Sequence, residues 1–342
     1  MVPVSGNPFG VVSTRDGAWS FVSTLSGEVA VVDDQGGTRV VREVTLPHDI
    51  LEGEALTNDE RYLLVADGSG ATVLDVGRAE RGAPRAVLGK LAVDPRSTSL
   101  ALDSAIEVSV SPDDRFAFVS LESANEIAVF SLERAIKTGF KRSALVGTIP
   151  LGFGVVGIAI SPDGHWLYAT SEAKSPTSQQ GTISVMNLKL AETRPSRSVV
   201  ESTAAGCDPV RVVISPDGAV VWVAARESNS LLAFSASLLR TDPRHALLAR
   251  IRVGAAPVAL ALLRKGTRIV IADSNRFAAP GQTAALTVID THAALAHKDA
   301  VIGEIPAGTF PRELSIQATQ NRLLVTNFGS NQLEVIDLSH LP

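Results

Sequence analysis

The chain has 342 residues, of which 45% are apolar and 5% aromatic, with a formal net charge of −5. That balance, with no run of basic residues, argues against a nucleic-acid surface and an anionic-membrane surface. Cys207 is the only cysteine, which excludes an internal disulfide and a CxxC metal site. No stretch of about 18 apolar residues is present to span a membrane. Length alone suggests two domains, but a repeat along the whole chain overrides that prior, so residues 1–342 are expected to form a single domain.

The repeat is clearest from Gly157 to Ser171, where two alternating apolar runs flank Ser161-Pro162-Asp163-Gly164. Alternation with period 2 marks a strand buried on one face. Pro-Asp-Gly is a turn because Pro presets φ, Asp bonds locally and Gly accepts positive φ. In chain order the same hairpin turns at residues 17, 60, 114, 164, 218, 266 and 320, spaced 43 to 54 apart. A third apolar run follows each hairpin, ending near Asp or Asn: Val29 to Asp33, Thr72 to Asp75, Ile127 to Phe130, Ile183 to Asn187, Leu231 to Phe234, Leu286 to Asp290 and Leu333 to Asp337. A fourth run follows in most copies, such as Leu145 to Ile149, Leu248 to Val253 and Val301 to Ile305. Four short antiparallel strands repeated seven times predict an all-β fold, a seven-bladed β-propeller of four-stranded antiparallel blades.

The last copy ends near Leu338 without a fourth strand, so the N-terminal segment around Met1 to Val4, or a piece upstream of it, is expected to complete that blade and close the ring. Short helical patterns fall between third and fourth strands at Leu132–Lys137, Ser237–Arg240 and Thr291–Ala296. They belong to the same face as the tight hairpin turns. Longer loops at Lys90–Ala105, Glu172–Gly181 and Asn275–Ala284 belong to the opposite face, where function tends to sit. Trp19, Trp166 and Trp222 share nearly one repeat position and read as packing between blades.

Leu324-Val325-Thr326-Asn327, then Gly329-Ser330-Asn331 and Leu333-Glu334-Val335-Ile336-Asp337, resemble the YVTN-repeat propeller family. Arg250 to Pro257 and Gly303 to Pro311 resemble that family's linkers between blades. The likeness runs from Asn7 to Leu338. It implies the propeller fold, with surface and periplasmic proteins as relatives and lactonase-type propeller enzymes at a greater distance. Such relatives are often exported, so the resemblance implies a secreted or periplasmic location, although no charged-then-apolar leader follows Met1.

In that family the first strand of each blade lines the channel and opens on a small residue. Here the position reads Gly10, Gly53, Glu107, Gly157, Arg211, Ala259 and Glu313. Three blades depart from the small residue, and each departure is charged. Glu54 lies one place on, Arg312 one place before. The position closing the second strand includes Asp67, Asp273 and Asn327, with Glu122, Glu172 and Arg226 just beyond. Strand direction gathers these groups at one mouth of the channel. His48 stands in a blade-entrance loop that leads there. Charges converging at a narrow site must be paired or neutralised. They are expected to form a pocket for a small polar or anionic ligand, with arginine as the planar clamp. The competing reading is that Glu107, Arg211 and Glu313 pair only with one another across a wet channel.

Two function classes with a site follow, beside a purely structural or scaffold role that predicts no pocket. The first is a YVTN-type propeller that binds a small molecule or protein partner at the loop-rich mouth, as a monomer. The second is a lactonase-like hydrolase or isomerase with Glu107 or Glu313 as general base and Arg211 holding a carboxylate. No cofactor is expected. The carboxylates would also suit Ca²⁺ or Mg²⁺ on the channel axis, as some lactonase propellers hold, but Arg211 and Arg312 in the same ring oppose an ion. Gly152 to Gly157 fits GxGxxG but leads into a strand, which excludes dinucleotide binding. Ser171 to Lys174 fits SxxK on a loop rather than a helix.

Overall fold

A computed structural model describes residues 1–47, 50–93, 104–277 and 284–341. His48 and most of the 90–105 and 275–284 loops lie outside the described residues. Seven four-stranded antiparallel sheets succeed one another along the chain, each a meander in sequence order except the last. Their first strands are Pro8–Ser13, Leu51–Leu56, Ala105–Val110, Phe153–Ile160, Pro209–Ile214, Pro257–Leu263 and Pro311–Gln317, taken here as blades 1 to 7. First strands of neighbouring blades pack on each other right round to blades 7 and 1. The molecule is a seven-bladed β-propeller.

Closure is made by the segment the sequence nominated. Val2–Pro3 is the fourth strand of blade 7, pairing antiparallel with Gln332–Asp337 through Val2↔Leu333 and Pro3↔Gln332. Val4 is buried beside it among Val11, Val22 and Leu333. Thr326 Oγ1 donates to the Phe9 carbonyl at 2.8 Å, and Gln317 Nε2 donates to Asp34 Oδ2 at 2.8 Å, so blade 7 is tied to blade 1 at two further heights.

The hairpin turn has one chemistry in blades 1 to 5. A Ser or Thr hydroxyl donates to the Asp two places on, for example Ser111 Oγ to Asp113 Oδ1 at 2.7 Å and Thr14 Oγ1 to Asp16 Oδ1 at 2.6 Å. The same hydroxyl accepts from the amide that opens the second strand, as in Phe116 N to Ser111 Oγ at 2.9 Å. Ser-Pro-Asp-Gly therefore fixes both ends of the turn with two side chains. Blades 6 and 7 lack the Asp and turn instead through left-handed Lys265 and Asn321.

Among the described residues, five short helices follow third strands. They include Leu132–Thr138, Leu238–Thr241 and Thr291–Leu295 as expected, together with Val76–Arg81 and Leu188–Thr193. The Asp or Asn ending the third run explains the latter two: Asp75 and Asn187 accept from Arg78 N and Leu190 N as N-caps. The first residue of four of these helices donates to the hairpin turn beside it, such as Leu188 N to His165 O at 2.9 Å, and Ala236 N, just before the Leu238–Thr241 helix, donates to Ala219 O at 2.9 Å. Helices and tight turns thus share one face. The loop expected over Glu172–Gly181 is shorter, because Trp166–Ala173 and Gln180–Asn187 extend into it as strands. Trp222 sits two places further along its strand than Trp19 and Trp166, and is buried between blades 5 and 6.

Candidate functional site

Every first strand enters the ring through an irregularity in its pairing with the second strand, as between Ala105 and Val108 or between Pro311 and Glu313. A bulge of this kind re-aims side chains. Two consecutive positions therefore face inward near the mouth rather than one. The deeper position is the axial one; the outer position reads Phe9, Glu52, Ile106, Val156, Val210, Val258 and Arg312. Ile106, Val156 and Val210 touch one another across blades 3, 4 and 5 as an apolar collar. Arg312, Phe9 and Glu52 face them from blades 7, 1 and 2. The small axial residues have a packing reason too: a Cβ on Gly53 would stand 2.6 Å from the Ile106 carbonyl oxygen.

At the axial level Arg211 sits between two glutamates that are about a hundred residues away on either side. Its Nη1 donates to Glu107 Oε2 at 3.0 Å and its Nε to Glu313 Oε2 at 3.1 Å, with Nη2 on the same Glu313 oxygen. Glu107 Oε2 also accepts from Ile158 N at 3.2 Å. Burial acts to lower the Arg211 pKa, but the two carboxylates outweigh it and hold the guanidinium above its ordinary range. Burial pushes Glu107 up to about 7, with Arg211 opposing and Glu313 adding to the rise. Glu54, on the neighbouring strand, has two buried carboxyl oxygens without a well-aligned partner, and burial lifts it well above the carboxylate range.

Above this level lies a second charged group. Arg226 donates through Nε to Asp208 Oδ2 at 2.7 Å and through Nη2 to Glu172 Oε1 at 2.9 Å. Burial and then Asp208 raise Glu172 to about 7. Glu122 is also raised by burial, while Arg226 and Arg312 oppose the rise. Glu52 stands at about 7 for the same first reason, with Arg312 opposing and Glu122 adding. Arg312 is only 8% exposed, and its guanidinium lies 3.9 Å above the Phe9 ring. Burial and Arg211 push it down to about 10. Among the described residues it makes no hydrogen bond or ion pair through its side chain.

The structure thus brings Glu54, Glu107, Arg211 and Glu313 together on the axis. It brings Glu122, Glu172, Arg226 and Arg312 together at the mouth. Asp273 and Asn327 turn instead into their own blades: Thr287 Oγ1 donates to Asp273 Oδ2 at 2.5 Å, and Asn327 Nδ2 to Glu334 Oε2 at 2.8 Å. Asp67 does the same with Thr72 and Lys90. The alternation that faces first-strand groups inward faces second-strand ends at the third strand. Glu52, Asp208 and Arg276, the last with its pKa lowered by burial and then by nearby Arg226, with Asp208 opposing, were missed by the sequence reading. The signal for Glu52 was its place beside Gly53, the same place that Arg312 holds beside Glu313.

An axial Ca²⁺ or Mg²⁺ does not fit these residues. The Arg211 guanidinium fills the space between Glu107 and Glu313, and among the described residues no three His, Cys, Asp or Glu groups converge to hold a metal ion. No helix among the described residues is long and apolar enough to cross a membrane.

Comparison with known proteins adds one family signal. A family model described as "Lactonase, 7-bladed beta-propeller" matches residues 107–251. The match spans blades 3 to 5. It begins at Glu107 and contains Arg211, Glu122, Glu172 and Arg226. No curated protein matches the chain. A solved structure, "Kuenenia stuttgartiensis Hydrazine Synthase", is 19% identical, with a TM-score of 0.74 over 97% of this chain and 96% of that one. That likeness shows the fold.

Proposed function

We propose that this lactonase-type, YVTN-like propeller binds a small organic anion bearing hydroxyl groups at the mouth of its channel. The observation that carries the reading is Arg312. A buried cation whose donors meet no acceptor among the described residues, with Glu52 and Glu313 acting on it only through space, leaves those donors to something from outside, and a guanidinium fits a carboxylate with two parallel hydrogen bonds. Glu52 and Glu122 stand beside it as partners for ligand hydroxyls. Anion binding is strongest while Glu52 is protonated, so affinity falls as pH rises through about 7. A thermal-melt panel of hydroxycarboxylates, from lactate and malate to gluconate, tests this at pH 6 and pH 8.5. Stabilisation at pH 6 that weakens at pH 8.5 and vanishes in Arg312→Gln is expected. Equal stabilisation of Arg312→Gln would refute the reading.

A lactonase-like hydrolase is the second reading, favoured by the family match and by carboxyls held near neutrality, where an acid can also act as a base. Glu107 and Glu313 are its axial candidates, with Arg211 as the carboxylate holder. Both are already engaged by Arg211, so Glu52 joins them as a base whose buried Oε2 has no hydrogen-bond partner among the described residues. Lactone turnover by wild type, Glu107→Gln, Glu313→Gln and Glu52→Gln separates the cases. Turnover lost in any one variant places the base. No turnover by the wild type leaves binding alone.

A further inference from the structure

We infer that the ligand carries a flat apolar body beside its anionic head, held against Phe310 and Phe277 on the rim of the mouth. This rests on the binding reading above and names the class of its ligand.

Three residues before each axial position the backbone is left-handed in six blades, at Asn7, Ser104, Gly154, Asp208, Ala256 and Phe310, with φ of 58°, 33°, 64°, 58°, 52° and 53°. Gly, Asn and Asp adopt this conformation readily. A phenylalanine does so only at a cost in strain, and such strain persists where the surroundings dictate it, most often at functional sites. Blade 7 therefore holds a bulky aromatic at a repeat position where a small or polar residue would be less strained.

The ring so placed is not simply buried. Its centroid lies 5.0 Å from that of Phe328, which fixes one face. The Arg276 guanidinium stands 5.4 Å from the Phe310 centroid and 5.3 Å from that of Phe277. Phe277 is 71% exposed. Arg276 makes no ion pair among the described residues, so the rim offers an aromatic, cationic, aromatic row. Arg312 on Phe9 repeats the combination at the outer inward-facing position, opposite the apolar collar of Ile106, Val156 and Val210. Among the described residues no carboxylate forms an ion pair with either guanidinium, and two such groups, each on a ring, beside an apolar arc match one ligand chemistry. The head is anionic and the body presents a π or flat apolar face. A compact polyol acid would leave Phe277 and the collar unused.

The decisive probes are phenyllactate and lactate, which share one hydroxy-acid head and differ by a phenyl group. Equilibrium titration of the wild type is expected to give phenyllactate at least tenfold tighter binding than lactate. Phe310→Gly should remove that preference, weakening phenyllactate binding far more than lactate binding. Its melting temperature should hold, because relief of strain offsets the lost Phe328 contact. Phe277→Ala, an exposed truncation that leaves the core intact, should reduce the preference as well, and it decides the matter if the glycine variant does not fold. Equal affinity for both probes, dependent on Arg312, would overturn this inference and leave the binding reading standing. A phenyl preference that survives both variants would also overturn it. Binding of neither probe would remove both together.

Discussion

Glu107, Arg211 and Glu313 show why a buried charge is judged by its partners. One guanidinium serves two carboxyls, and each additional proton acceptor in the cluster must be neutralised or desolvated at a cost. Arg211→Met leaves both carboxyls without their cation and is expected to lower stability by about 3–5 kcal/mol, read from denaturant midpoints. Adding Glu107→Gln and Glu313→Gln to that variant should restore a large part of the loss. A triple variant no better than the single one would mean the cluster is not electrostatically coupled. Asp273 gives the pH counterpart. Its folded pKa, about 7 through burial with Thr287 opposing, lies above the ordinary value of 3.8. Stability from such a group is fully present below the ordinary value and is lost as pH rises through about 7. The protein should thus unfold at lower denaturant at pH 8 than at pH 5, and Asp273→Asn should flatten that slope. The turn carboxylates act oppositely. Hydrogen bonds from Thr14 and Ser215 hold Asp16 and Asp217 below the usual range, so their contribution fades only in acid.

At the scale of elements, the hairpins were legible because their physics is local. Ser-Pro-Asp-Gly names its own turn, and alternation names its strands. The Val76–Arg81 and Leu188–Thr193 helices were less legible, since six residues carry little periodicity and the signal lay in their caps, Asp75 and Asn187. The closing strand was legible only by counting, because Val2–Pro3 has almost no pattern of its own and is ordered by pairing with Gln332–Asp337. Its anchor is Val4, 2% exposed. Val4→Asp buries a charge without a partner and should cost more than about 2 kcal/mol. Hydrogen exchange should rise first in blades 7 and 1. Uniform loss of protection around the ring would contradict a local latch.

For the whole molecule, closure is what converts sequence separation into proximity. The charged departures at 107, 211 and 313 could be placed on one axis from the repeat alone. The bulge at each blade entrance could not, because it depends on strand pairing, and so Glu52 escaped notice while Asp273 and Asn327 were expected at the mouth. Arg276 was illegible for another reason: it stands on a loop outside the repeat, where no periodic argument reaches. On the proposed reading, Arg312 is the cation that meets the ligand at the mouth. NMR of arginine Nε–Hε groups, with the Arg312 signal assigned by its loss in Arg312→Gln, reads that directly during a lactate titration at pH 6. A saturable shift of the Arg312 signal, with the Arg211 signal little changed, is expected. An Arg312 signal that stays fixed while lactate binds, or that never responds to any hydroxycarboxylate, would contradict that reading.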